Sequence, residues 1–160
     1  MSALPIILAS SSPYRKAIFQ KTNITFMTAS PDIDETPHKN ESATALVERL
    51  TKEKALAMQS QFPNHLIIAS DQVATLKDEV ILTKPLTHQN AVKQLQACNG
   101  KSVTFLTGLT LLNTATHNMQ FIIEPFEVTF RQLSNNEIEN YLTLEKPYDC
   151  AGSFKVEGLG

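Results

Sequence analysis

"LPIILASSSPYRKAIF", Leu4 to Phe19, changes character halfway along. Leu4 to Ala9 is short and wholly apolar, the pattern of a strand covered on both faces. Three serines end it, and Ser12-Pro13 predicts a helix start. Serine caps the helix, and proline fits its first position, where the missing N–H has no partner to lose. A strand feeding a helix in this way opens an α/β chain. The helix start also leaves unpaired backbone N–H groups and a partial positive charge, which suits an anion. Ser10, Ser11 and Ser12 add hydroxyl donors, and Arg15 and Lys16 add charge one turn in. Arginine suits phosphate because its fork binds two oxygens at once. An ordinary capped surface helix has the same pattern, and this stretch alone does not separate the two.

Further along, Ile24 to Thr28 reads as a second strand, and Ala29 to Asn40, with two prolines and three acidic residues, as a loop. Ser42 to Gln59 predicts a helix, with Leu46, Val47, Leu50, Ala57 and Met58 on helical spacing. His65 to Ser70 reads as a buried strand that Asp71 ends. Lys77-Asp78 is expected to turn a hairpin between Val73 and Leu82. Thr87 caps a helix running to Ala97, closed by Asn99-Gly100. Val103 to Leu112 and Phe121 to Phe130 are β-rich runs expected to pair antiparallel through Asn113 to Asn118. Ser134-Asn135-Asn136-Glu137 is a capping box opening a helix to Leu144. Mixing βα units with a hairpin predicts an α/β fold on a mixed sheet. With no repeat and no linker, one folding unit is expected.

The chain has 160 residues, 42% of them hydrophobic, enough to bury a core without disulfide or metal staples. Its formal charge of −2, from 14 basic and 16 acidic residues, argues against a broad nucleic-acid footprint. No stretch reads as a signal peptide or membrane span. Cys98 and Cys150 lack paired-ligand spacing, so reduced thiols in a cytoplasmic protein are expected. His38, His65, His88 and His117 never reach zinc-ligand spacing. A metal here would be a hard cation held by carboxylates and phosphates.

Four single residues carry candidate chemistry. Asp71, at the carboxyl end of an apolar strand, stands where α/β sheets gather ligands, and it can take a proton from water or hold a divalent cation. Aspartate is also a common turn residue. Lys54 lies on the stripe that should face the core, so it either snorkels outward or points into a polar cleft. Lys84 precedes a proline, with a restricted backbone. Glu35 is a metal ligand or a solvated loop charge. Asn99-Gly100-Lys101-Ser102 imitates the tail of a phosphate-binding loop, but Leu95 stands where that motif needs glycine.

The ordered set Leu8-Ala9-Ser10-x-Ser12-Pro13-x-Arg15, Asp34-Glu35, Arg49-Leu50-x-x-x-Lys54-Ala55, Ser70-Asp71-Gln72-Val73, Lys84-Pro85, Thr107-Gly108 and Ala151-Gly152-Ser153-Phe154 resembles the Maf family of nucleoside triphosphate pyrophosphatases. Within it, Tyr14, Gln72 and Glu157 resemble the branch acting on 7-methyl-GTP, whereas pyrimidine-directed relatives carry arginine, threonine and glutamine there. Cys150, in place of a lysine, fits the same branch. The resemblance implies a mixed twisted sheet in two lobes with a central cleft, shared with inosine triphosphate pyrophosphatases. It implies one Maf-like domain over residues 1–160, lacking the strand and helix with which the family usually continues. Cleavage between the α- and β-phosphates is implied, with a divalent cation, magnesium or manganese. Asp71 would be the base; Ser10, Ser12, Arg15, Lys54 and Lys84 would bind phosphate; Tyr14, Gln72 and Glu157 would set substrate specificity; Glu35 and Asp71 would hold the metal. The implied partner is a nucleoside triphosphate, with no nucleic acid or membrane, and a homodimer is a candidate assembly. The alternatives are a pyrophosphatase for UTP or dTTP and a nucleotide-binding regulator of septum formation.

Overall fold

The computed structural model describes residues 4–76 and 80–160. Strand β1 (Ile6–Ala9) runs into helix α1 (Pro13–Gln20) through the serine turn. There follow β2 (Met27–Ala29), α2 (Ala43–Ala57), β3 (Leu66–Leu76), β4 (Val80–Leu82) and α3 (His88–Cys98). The chain continues with β5 (Ser102–Asn113), β6 (Asn118–Thr129), α4 (Asn135–Glu145) and a single 3-10 turn at Ala151–Ser153. Hydrogen-bonded strand order is β2-β1-β3-β5-β6, with β4 also on β3. β1 pairs parallel with β2 and β3, and β3 pairs antiparallel with β4, so the sheet is mixed.

The caps expected at Ser12, Thr87 and Ser134 are present, and Ser42, expected as the first residue of its helix, is a fourth. Ser12, Ser42, Thr87 and Ser134 each accept a backbone N–H three residues on, and Glu137 closes the box at α4. Each such cap contributes about 1 kcal/mol. The second strand starts later than its sequence suggests, at Met27, because pairing with β1 sets it (Ile7 opposite Met27), whereas Ile24 is exposed. In α2, Ala55 lies in the core and Ala57 is exposed. The largest departure is β3. Asp71 does not end it; the strand runs on to Leu76, since Ala74 to Leu76 find antiparallel partners in Leu82 to Val80. The expected turn at Lys77-Asp78 lies outside the described residues.

The chain divides into two compact units, one of Met1–Asp71 with Thr107–Glu124, the other of Gln72–Leu106 with Pro125–Gly160. Each has its own apolar core. In the first, Ile7, Ala9, Ile67 and Ala69 from the parallel strands pack with Ala55, Met58 and Leu112. Here α2 lies hard against β5. A methyl at Gly108 would overlap Thr51 Oγ1 and meet Val47 Cγ2 and the Val47 carbonyl oxygen at 3.2 Å. The glycine of the Thr107-Gly108 fragment is therefore needed for close helix–strand approach. In the second unit, Ala91, Leu95 and Cys98 of α3 and Ile138 and Leu142 of α4 pack with Val103, Phe105 and Phe130. Burial among them pushes the Cys98 thiol pKa up. Both cysteines are free. Among the described residues, no helix is long and apolar enough to cross a membrane.

Candidate active site

In the first unit the parallel pairing stops at one level, Ala9 opposite both Ala29 and Ala69. The serine turn leaves β1 at this carboxyl edge, and Asp71 stands two residues past the last register pair on β3. Asp71 thus lies just past the carboxyl edge of the parallel pairing, although β3 itself continues. Ser10, 8% exposed, accepts the Ser12 N–H at 3.1 Å, and the Ser12 hydroxyl accepts the Arg15 N–H at 3.4 Å. Both serines thus build the turn. Each keeps a hydroxyl proton it can donate to an anion.

Arg15 and Lys54 converge on Asp71. The Asp71 carboxylate, in a residue only 8% exposed, lies 3.6 Å from Arg15 Nη2 and 3.1 Å from Lys54 Nζ. Lys54 is the most telling of these. It is 5% exposed because α2 places it on the face that buries Val47, Leu50 and Thr51. Of the two readings for a lysine there, the structure shows the inward one. Its ammonium also meets Glu35 Oε1 at 2.7 Å, so one cation spans two carboxylates. Breaking the buried Lys54–Asp71 pair from one side is costly, because a charge stays behind without its counterion.

Glu35 sits in the exposed loop before α2, and Arg49 fastens that loop. Arg49 Nη2 donates to the Thr36 carbonyl at 3.0 Å, while its Nε and Nη2 grip Glu41 at 2.7 and 2.9 Å. Nη1 reaches Glu53 at 3.2 Å. The Arg49 hydrogen bond holds the Glu41 pKa down at about 2. Asp34 accepts the Thr36 N–H at 2.9 Å, and hydrogen bonding from the Thr36 side chain, then from its backbone, lowers the Asp34 pKa. Sequence reasoning quoted Arg49 in a motif but gave it no task. The only signal was an arginine four residues before a glutamate on one helix face.

Tyr14, half-buried, is on the first turn of α1, in the same unit as Arg15 and Asp71. The remaining predicted residues belong to the second unit: Gln72 on β3, Lys84 between β4 and α3, and Glu157 near the end, all exposed. Among the described residues, no three His, Cys, Asp or Glu side chains cluster as a metal cage. Two carboxylates, Glu35 and Asp71, do meet on one ammonium. Two protein carboxylates fit magnesium, which takes its other ligands from phosphate and water. The set can therefore bind a polyphosphate, hold such an ion, and abstract a proton.

The chain matches the family described as Maf-like protein over residues 5–160. It is 54% identical over 155 residues to a 7-methyl-GTP pyrophosphatase of Alcanivorax borkumensis, covering 97% of this chain and 78% of that protein. It is 54% identical over 157 residues to a 7-methyl-GTP pyrophosphatase of Pseudomonas fluorescens, covering 98% of this chain and 81% of that one. The solved Ham1 protein of Staphylococcus aureus is similar in fold, with a TM-score of 0.50 over 78% of this chain and 71% of its own, at 12% identity.

Proposed function

The chain belongs to the Maf family, and on that premise we propose that it hydrolyses 7-methyl-GTP to 7-methyl-GMP and pyrophosphate, clearing a modified nucleotide from the cytoplasm. The observation that carries the reading is the low-exposure Asp71 carboxylate facing two cations, Arg15 and Lys54, at the carboxyl edge of the parallel strands. The printed activity of the two relatives at 54% identity supports the substrate.

Asp71 takes a proton from water as the water oxygen bonds to the α-phosphorus. The bond from that phosphorus to the α–β bridging oxygen breaks, and pyrophosphate leaves. Arg15 and Lys54 lie against negative oxygens whose charge grows during the step, which is where fixed cations accelerate most. Ser10 and Ser12 donate to the same phosphates, and Lys84 adds a further cation. A divalent ion held by Glu35 and Asp71 neutralises polyphosphate charge when bound. On arrival of the substrate, Lys54 exchanges part of its carboxylate contact for phosphate.

Base selection follows from charge. Methylation at N7 makes guanine cationic, so the Tyr14 ring gains a cation–π attraction of roughly 0.5–2 kcal/mol. The Glu157 carboxylate accepts from both the N1–H and the N2 amine of guanine, and Gln72 completes the specificity set.

Pyrophosphate release from 7-methyl-GTP, GTP, UTP and dTTP, with and without Mg²⁺, tests the reading. The expected result is preference for 7-methyl-GTP and dependence on the ion; preference for UTP or dTTP overturns the substrate assignment. Asp71→Asn is expected to lower turnover at least ~100-fold. Retained turnover in that variant removes Asp71 as the base.

A further inference from the structure

Lys84 lies in the short connection from β4 to α3, and the peptide carbonyls on either side of it are both taken by side chains of one helix. Gln94 Nε2 donates to the Thr83 carbonyl at 2.9 Å, and Asn90 Nδ2 donates to the Pro85 carbonyl at 3.1 Å. Asn90 and Gln94 are four apart on α3 and so share a face. The loop is held at its far end too, where the Leu86 N–H reaches the Tyr148 carbonyl at 3.1 Å.

The Gln94 amide is itself oriented. Ser153 donates its hydroxyl to Gln94 Oε1 at 2.7 Å, which leaves the amide NH2 to face Thr83. Ser153 is fully buried and has φ of 58°, a left-handed conformation unfavourable for a residue with a side chain. Tyr141 donates to the Ser153 carbonyl at 3.2 Å and accepts the Lys155 N–H at 3.0 Å, fixing the same turn from behind. A buried serine in a strained backbone, satisfied by one surface-helix amide, makes sense if that amide must point one way. Without the serine, the amide is free to rotate and present its oxygen to the Thr83 carbonyl, which repels it.

We propose that Gln94 and Ser153 are positioning residues for Lys84: the chain Ser153 → Gln94 → Thr83 carbonyl, with Asn90 on Pro85, fixes the backbone from which the lysine reaches phosphate. The inference rests on the reading of Lys84 as a phosphate-binding side chain. It gives the Ala151-Gly152-Ser153-Phe154 fragment a task that places it behind the ligand rather than on it. An exposed lysine loses rotamer freedom on being ordered, and a backbone held in advance limits what else is lost on binding.

The test uses the full chain with Mg²⁺ and 7-methyl-GTP. Gln94→Met keeps length and helix propensity but cannot donate to the Thr83 carbonyl and accepts only weakly. It is expected to raise KM about tenfold while kcat changes less than threefold. Combined with Lys84→Ala, the same substitution is expected to change kcat/KM less than twofold, read at substrate well below KM, because its effect passes through the lysine. Ser153→Ala is expected to raise KM about threefold in the same direction. An unchanged KM in Gln94→Met, or an equal loss with and without Lys84, overturns the positioning role. If Lys84→Ala alone leaves kcat/KM intact while the wild-type chain hydrolyses 7-methyl-GTP, the phosphate role of Lys84 and this proposal fall together, and the proposed reaction stands.

Discussion

The loop carrying Glu35 and the loop carrying Lys84 are each fastened to the helix that follows them, but by opposite chemistry. The first is gripped by a guanidinium that also holds two carboxylates, Glu41 and Glu53. The second is gripped by two neutral amides, one of them oriented by a hydroxyl. The sign of the carried charge suggests why. An arginine already matched by Glu41 and Glu53 leaves Glu35 to its own partner Lys54, whereas an arginine beside Lys84 would repel its lysine and compete for phosphate. A neutral brace fixes backbone without adding a field. The two loops should therefore answer differently to charge, packing and acid.

The largest expected effect comes from deleting the charge at the centre of the first region. Lys54→Met leaves Glu35 without the ammonium it meets at 2.7 Å and leaves Asp71 facing the Arg15 guanidinium at 3.6 Å. We expect kcat/KM for 7-methyl-GTP to fall at least ~100-fold, measured by pyrophosphate release. A fall of less than tenfold would place the lysine outside the reaction. Next comes a change of packing with every charge kept. Gly108→Ala drives a methyl into Thr51 and Val47, about one and two turns before Lys54. Overpacking of this kind costs about 1–3 kcal/mol, read as a lower denaturant midpoint. Activity should fall with it, because the helix that sets the depth of Lys54 is displaced. Unchanged activity and midpoint would show that the contact is slack.

The smallest effect separates the two braces without mutation. Glu41 has a folded pKa of about 2, below its ordinary 4.5. A depressed carboxylate stabilises the fold fully above the ordinary value, and that contribution is lost as pH falls through the folded one. Asp34 in the same loop is shifted in the same direction. Between about pH 4.5 and 2, the segment 30–41 should therefore become a pepsin target before the Thr83–Leu86 loop, whose amide contacts do not titrate. Cleavage mapped by mass spectrometry checks the order, and earlier cutting at Thr83–Leu86 would contradict it.

What the sequence made legible follows the range of the forces involved. The caps at Ser12, Ser42, Thr87 and Ser134 depend on bonds three residues long, and all four are where local chemistry puts them. Asp71 was found as a functional candidate but misread as a strand end. A charge after an apolar run looks like a boundary, and only pairing with β4 carries β3 onward. Lys54 was legible as anomalous, since it breaks an apolar stripe, yet its direction depends on Glu35 and Asp71, both distant in sequence. The Gln94 brace was invisible because its partners lie 11 and 59 residues away.

That β3 is unbroken from Leu66 to Leu76 has a consequence for how this gene can change. Successive strand residues face opposite ways, and here the low-exposure aspartate is followed directly by the exposed Gln72. Gaining or losing one codon upstream within the strand would swap their orientations while leaving the composition almost untouched. Replacement is open to this segment; a change of length is not. The segment between β2 and α2 is under no such parity rule, so divergence by insertion can gather there.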